Sequence, residues 1–302
     1  MRVLLAVDGS APSTSAVELA QGLAWPPGST VRVVSVDDPH IEPLLGMPGL
    51  AIAPETVDRL VAASRDEATR VVGEAAARLE GQDRTVETAV LDGRPANGIL
   101  DAERDFRPDL VVLGSHGRGA VGSALLGSVS IEVVEHAGGS VLVARGSALR
   151  RILFADDGSA GAATARSLLE HMPGFAGLPV HVVCVSEQSP AWYGWLEPAA
   201  PDDVDAFERA ITADEERHAA MAVATAAQLS AAGLKGTGEA RVGDPANEIT
   251  DLAKATGADL IVLGTRGRTG VQGLLLGSVA RKVLHHAPCS VLVVRSRSTG
   301  RP

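Results

Sequence analysis

One stretch of this chain occurs twice. Gly114–Ser128 reads GSHGRGAVGSALLGS and Gly264–Ser278 reads GTRGRTGVQGLLLGS. At an offset of 150 residues, Leu110–Ser130 and Leu260–Ala280 agree at 12 of 21 positions. Each copy follows an apolar run, Leu110–Leu113 or Leu260–Leu263. Each carries the same frame: Gly114, Gly117, Gly127 and Ser128, then Gly264, Gly267, Gly277 and Ser278. A buried strand, a glycine loop and a helix, in that order, can set backbone N–H groups against an anion. Glycine at these positions permits positive φ and close approach of a phosphate. Ser128 and Ser278 add a hydroxyl beside the amides of a helix start.

The rest of the chain repeats around this stretch. Val3–Val7 and Ile152–Ala155 read as first strands, ending at Asp8-Gly9-Ser10 and Asp157-Gly158-Ser159. Their continuous apolar character fits strands buried on both faces of a parallel sheet. Helices follow at Ser13–Leu23 and Ala162–His171, with Ser10, Ser13 or Thr14 as candidate caps of the first. Second strands span Val31–Val36 and Val180–Val185. Long loops come next, Pro39–Pro54 and Ser186–Asp202, then long helices at Glu55–Leu79 and Ala206–Ala231. Third strands, Val86–Leu91 and Glu239–Val242, lead through Gly93-Arg94-Pro95-Ala96 and Gly243-Asp244-Pro245-Ala246 into a further helix. The glycine stretch follows, then a helix, Leu125–His136 in the first copy, and a closing strand, Ser140–Ala144 or Val291–Val294.

Strands alternating with helices imply right-handed crossovers. The fold class is therefore α/β: two tandem doubly wound domains, residues 1–147 and 148–302, joined near Arg145–Arg150. Each has a five-stranded parallel sheet flanked by helices. In such sheets ligands sit outside the carboxyl ends of the strands, where the order reverses. Asp8 and Gly114 both stand at such ends.

Composition narrows the function. The net charge of −10 disfavours a general nucleic-acid binder, which needs a basic face. A local phosphate site needs no such face, because backbone amides suffice. Cys184 and Cys289, one per half in apolar runs, fit reduced core thiols. The apolar run in Met1–Ser10 is too short for a signal peptide, and no run reaches the length of a membrane span. The expectation is a cytoplasmic protein with no membrane or nucleic-acid partner.

With both glycine frames in place, the chain resembles the universal stress protein family, as a tandem of two such domains. The nucleotide-binding type of that family carries G-x2-G-x9-G-[S/T], and both stretches fit it. Val7-Asp8-Gly9-Ser10 and Pro288–Val294 agree with the family's first and closing strands, so the resemblance covers nearly the whole chain. It implies the strand order 3-2-1-4-5, ATP at the carboxyl edge, and domain pairing through the last strands. It implies Asp8 and Asp157 near the adenine and ribose, in the turns Asp8-Gly9-Ser10 and Asp157-Gly158-Ser159. Val36 and Val185 would border the adenine, and the two glycine-serine frames would hold ribose and phosphates. Arg118 and Arg268 could reach a phosphate. Mg²⁺ would accompany the nucleotide, held largely by its oxygens and water.

Plainer readings stand beside these. The glycine loops could be tight turns without a ligand, and Asp8 and Asp157 could serve as helix caps or Asx turns. Gly138-Gly139, where the second half has Pro288-Cys289, would loosen the first closing turn. His116 becomes Arg266, and Asp156 stands where the first half has Val7. Asp156 would repel phosphate or face solvent, so the sites could differ in strength. Trp192, Tyr193 and Trp195 fit either a cap on the domain edge or a lid.

No catalytic set and no metal ligands are evident. His285-His286 are adjacent on a helix, and no Walker G-x4-G-K-[ST] pattern occurs. The leading expectation is a nucleotide-responsive regulatory protein of the stress response, with ATP hydrolysis slow if present. An adenine-nucleotide hydrolase or AMP-transferring enzyme, and a ligand-independent scaffold, remain alternatives. The two domains would pair within the chain, and two chains could form a homodimer.

Overall fold

The apolar runs read as strands are the most deeply buried segments of the protein. In the computed structural model, Val3, Leu4, Leu5, Val111 and Val112 are wholly inaccessible, as are Ile152, Leu153, Phe154, Ile261 and Val262. Residues 1–39, 53–81, 84–117, 126–187, 201–265 and 276–296 are described. Arg118, Arg266, Gly267, Arg268 and the Trp192–Trp195 segment lie outside them. The chain divides into two compact units, Met1–Ser147 and Ala148–Pro302.

The first unit runs β1 (Arg2–Ala6), α1 (Ala11–Gly22), β2 (Ser29–Asp37), α2 (Pro54–Leu79), β3 (Arg84–Asp92), α3 (Pro95–Phe106), β4 (Leu110–Gly114), α4 (Ser128–His136) and β5 (Ser140–Ala144). All its strand pairs are parallel, in the order β3-β2-β1-β4-β5. The second unit runs β6 (Ile152–Ala155), α5 (Ala160–His171), a 3₁₀ turn (Pro173–Phe175), β7 (Pro179–Ser186), α6 (Pro201–Ala231), β8 (Lys235–Val242), α7 (Pro245–Thr256), β9 (Leu260–Gly264), α8 (Ser278–His286) and β10 (Ser290–Val294). Its strands order as β8-β7-β6-β9-β10, which is the same arrangement. Each unit is thus a doubly wound α/β fold of order 3-2-1-4-5. The order reverses between β1 and β4, and between β6 and β9.

Local chemistry sets the element ends. Of the three candidate caps of α1, Ser10 does the work: its Oγ accepts the Ser13 N–H. Ser159 caps α5 in the same way through Ala162. The helix after the first glycine stretch begins at Ser128, later than the apolar periodicity predicts, with Gly127 as N-cap. The long helix of the second unit begins earlier than predicted, at Pro201 inside the expected loop. Gly138-Gly139 does not loosen the end of α4. Ala137 and Ala287 have nearly the same φ and ψ, and each N–H bonds back four residues at 2.8 Å.

Candidate functional site

At the β1/β4 switch point of the first unit, two chain segments lie side by side, each shaped by its own hydrogen bonds and joined where the Ser10 hydroxyl donates to the His116 carbonyl at 3.5 Å. Asp8, just past β1, accepts the Ser10 N–H at 3.0 Å and the Ser10 hydroxyl at 2.6 Å on Oδ1. Its own N–H donates to Ser13 Oγ at 3.1 Å. The turn passes through Gly9 at φ 78, a conformation that favours glycine, and Gly158 repeats it at φ 75. Asp8 is therefore the Asx turn of the plainer reading, but only one of its oxygens is used there. Oδ2 lies toward Gly117, where a Cβ would come within 2.7 Å of it.

Past β4, the chain is hooked into place. Gly127 N–H donates to the Ser115 carbonyl at 2.8 Å, and Ser130 Oγ donates to the Gly114 carbonyl at 2.8 Å. This turns the N-terminus of α4 toward the sheet edge. Gly127 has no side chain to cap that end and no other described residue does so, which leaves the first-turn amides at Ser128–Ser130 available to an anion, with the helix dipole behind them. Gly277 and Thr265 repeat the hook at 2.7 Å in the second unit, and α8 likewise has no side-chain cap.

The glycine frame works differently from the expectation. Gly114, Gly117, Gly127, Gly264 and Gly277 are not among the positive-φ residues. At Gly114, Gly117, Gly127 and Gly264 the reason for glycine is that other atoms come close. A Cβ on Gly114 would sit 2.7 Å from the Pro12 carbonyl carbon, one on Gly127 2.9 Å from His116 Cα, and one on Gly264 2.7 Å from the Gly161 carbonyl carbon. Gly114 and Gly264 thus let the starts of α1 and α5 pack on the sheet edge. Gly117 keeps space open beside Asp8.

These segments enclose a cavity of about 570 Å³ in the first unit. One part is apolar, walled by Val7, Val34 and Val36 from the sheet, Ala68 from α2, Ile99 from α3 and Leu126. The other is polar, formed by Asp8, Ser13, His116, Gly117, Gly127 and Ser128. Six residues predicted from sequence therefore share one cavity: Asp8, Val36, Gly114, Gly117, Gly127 and Ser128. Gly9 and Ser10 stand behind it, shaping the turn. Sequence reasoning missed Ser64 and Ala68 on α2 and Ile99 on α3. Ala68 fits the apolar stripe of its helix, so periodicity alone marks it as core.

In the second unit, Asp157 accepts the Ser159 N–H at 3.0 Å, and Val185 lies near the end of β7. Of the two readings of Asp156, the solvent-facing one does not hold. Asp156 is 6% exposed, accepting the Gly158 N–H at 2.9 Å and the Thr225 hydroxyl at 2.8 Å. Burial, with Asp156 and Asp157 nearby, pushes the Cys184 thiol up to about 12. That thiol is protonated and poorly nucleophilic at neutral pH. Among the described residues no group of three or more His, Cys, Asp or Glu side chains could hold a metal ion, and no helix is long and apolar enough to cross a membrane.

Comparison with known proteins gives a consistent result. The family model described as "Universal stress protein family" matches residues 1–145 and again 148–295. A universal stress protein of Mycolicibacterium smegmatis is 28% identical over 305 residues, spanning 98% of this chain and 97% of its own length. One from Mycobacterium tuberculosis is 30% identical over 253 residues, covering 76% of this chain and 77% of that protein. Among solved structures, a universal stress protein from Archaeoglobus fulgidus superposes with a TM-score of 0.63 at 22% identity, covering 99% of this chain and 97% of its own.

Proposed function

This chain belongs to the universal stress protein family, and from that premise we propose that it is a nucleotide-responsive regulatory module whose first domain holds ATP at the carboxyl edge of its sheet. The observation that carries this reading is the cavity at the β1/β4 switch point. It joins an apolar slot to an uncapped helix N-terminus. A purine needs flat apolar walls and a few polar groups to orient it, and a phosphate chain needs amides and a positive dipole end. Val7, Val36, Ala68 and Ile99 would flank the base. Asp8 Oδ2, turned toward the glycine loop, would accept ribose hydroxyls. The amides around Gly127 and Ser128 would take phosphate oxygens. Mg²⁺ would arrive with the nucleotide, bound mainly by its oxygens and water.

In this reading the protein binds rather than turns over its ligand. Among the described residues no nucleophile with a matching base lines the cavity, and His116 Nδ1 is 3.1 Å from its neighbour's hydroxyl, Ser115 Oγ. Occupancy of the cleft would tie the turn after β1 to the loop after β4, coupling ligand to conformation and to partners. The same proposal includes pairing of the two domains through β5 and β10 and association of two chains. Sedimentation with and without Mg-ATP reads the latter.

The direct test is thermal. ATP that binds only the folded state stabilises by about 2.7 kcal/mol at 100 times its Kd, a rise in Tm of roughly 5–10 °C for a domain of this size. Gly117→Val, which presses a side chain onto Asp8, is expected to abolish the shift. No shift in the wild type at millimolar Mg-ATP would sink the proposal. Nucleotide released from purified protein by denaturation, identified by chromatography, gives an independent check.

A further inference from the structure

The two units share a frame, but the helix wall facing the sheet edge differs between them in a concerted way. Strand register equates Ala6 with Ala155 and Val34 with Val183, and so Val7 with Asp156. The buried stripes of the long helices, ending at Leu79 and Leu229, equate Ala68, Val71 and Ala75 of α2 with His218, Met221 and Thr225 of α6. Every one of these three positions carries a larger or more polar side chain in the second unit.

Their contacts show what the exchange does. His218 is 3% exposed, with Nδ1 2.7 Å from the Asp214 carbonyl and 3.1 Å from its carboxylate. An imidazole thus occupies the place where Ala68 opens the cavity of the first unit. Thr225 holds Asp156 where Val7 forms a wall. Met221 lies over the turn, with Sδ 3.0 Å from where a Gly158 Cβ would be. Even the pair at the end of the second strand is inverted. Ser64 donates to Asp37 in the first unit, whereas Ser186 donates to Asp214 in the second, at 2.6 Å.

We propose that the two sites are not duplicates: His218, Met221 and the Asp156–Thr225 pair close the base slot of the second domain, so the chain binds one adenine nucleotide, in the first. This rests on the reading of the first cavity as an ATP site. The second glycine frame keeps its hook and its open helix end, but the slot that would receive a purine is filled by side chains engaged with one another. Admitting a base would mean displacing a buried imidazole and a buried, hydrogen-bonded carboxylate. Breaking such contacts is costly because the groups left behind are unpaired out of water. His218 and Asp156 are then specificity-determining residues, rejecting the ligand that Ala68 and Val7 accept.

Calorimetric titration of the full chain with Mg-ATP tests this. One nucleotide per chain is expected for the wild type, and none for Gly117→Val. Rebuilding the second wall on the pattern of the first, with Asp156→Val, His218→Ala, Met221→Val and Thr225→Ala together, is expected to give two. The converse change, Ala68→His, is expected to weaken binding by at least about tenfold with the melting temperature of the unliganded protein retained. It carries the test if the fourfold variant does not fold. Two sites of similar affinity in the wild type, one site surviving Gly117→Val, or unchanged affinity in Ala68→His would overturn the inference while leaving nucleotide binding intact. No binding by the wild type would overturn the functional proposal itself, and this inference with it.

Discussion

At Gly114 a methyl group would lie 2.7 Å from the Pro12 carbonyl carbon and 2.8 Å from the Ser13 nitrogen, both backbone atoms that cannot rotate away. Gly114→Ala therefore has to push the start of α1 off the sheet edge. Overpacking of this kind costs roughly 1–3 kcal/mol. The expected result is a lower urea midpoint with an unchanged m-value, together with weaker nucleotide binding, because α1 carries Ser13 on the cavity wall. Gly117→Val should instead lose binding with little loss of stability, since the nearest atom it meets is the end of the Asp8 side chain. The two glycines look alike in sequence. Spacing identifies the frame, but not which glycine serves packing and which serves the ligand, because that depends on what lies across from each one.

Among the elements, the paired turns Gly93-Arg94-Pro95-Ala96 and Gly243-Asp244-Pro245-Ala246 show how one residue changes a helix start. Arg94 precedes α3 without a side-chain cap, whereas Asp244 Oδ1 accepts the Asn247 N–H at 3.0 Å and Oδ2 meets Lys282 Nζ at 3.0 Å. The Asn247 N–H, then Lys282, hold the Asp244 carboxyl below its usual range. A carboxyl depressed on folding stabilises the protein above its unfolded pKa, near 3.9, and loses that effect as pH falls through the folded value. Asp244→Ala should cost about 1 kcal/mol at pH 7, and the gap from wild type should narrow below pH about 4. Denaturation curves at several pH values check this; a constant gap would mean that the charge contributes nothing. Helix and strand identity was legible here from apolar period and caps. The start of α4 was not, since Leu126 is buried on the cavity wall and so extends the apolar period ahead of the helix's first residue.

For the whole molecule, the net charge of −10 bears on partners. Nucleic-acid affinity comes largely from counterion release at basic faces, so no shift of duplex DNA is expected in a mobility assay at about 0.15 M salt. A salt-sensitive complex there would contradict that view. The repeat of the glycine frame, the alternation of strand and helix, and the acidic composition are properties of the sequence alone. They determined two α/β units with a glycine stretch after the fourth strand of each, because hydrophobic period and glycine spacing are local and survive without coordinates. The order 3-2-1-4-5 came from family resemblance, since periodicity says nothing about which strands become neighbours. Only the tertiary structure decided how the two sites differ. In the sequence Asp156 could repel phosphate or face solvent, and His218 carries no signal at all. Each acquires its meaning from a partner on another element or another turn, Thr225 across 69 residues or Asp214 one turn back. Whether a cleft is open depends on which side chains converge on it, and that convergence is set by packing rather than by any neighbour in the chain.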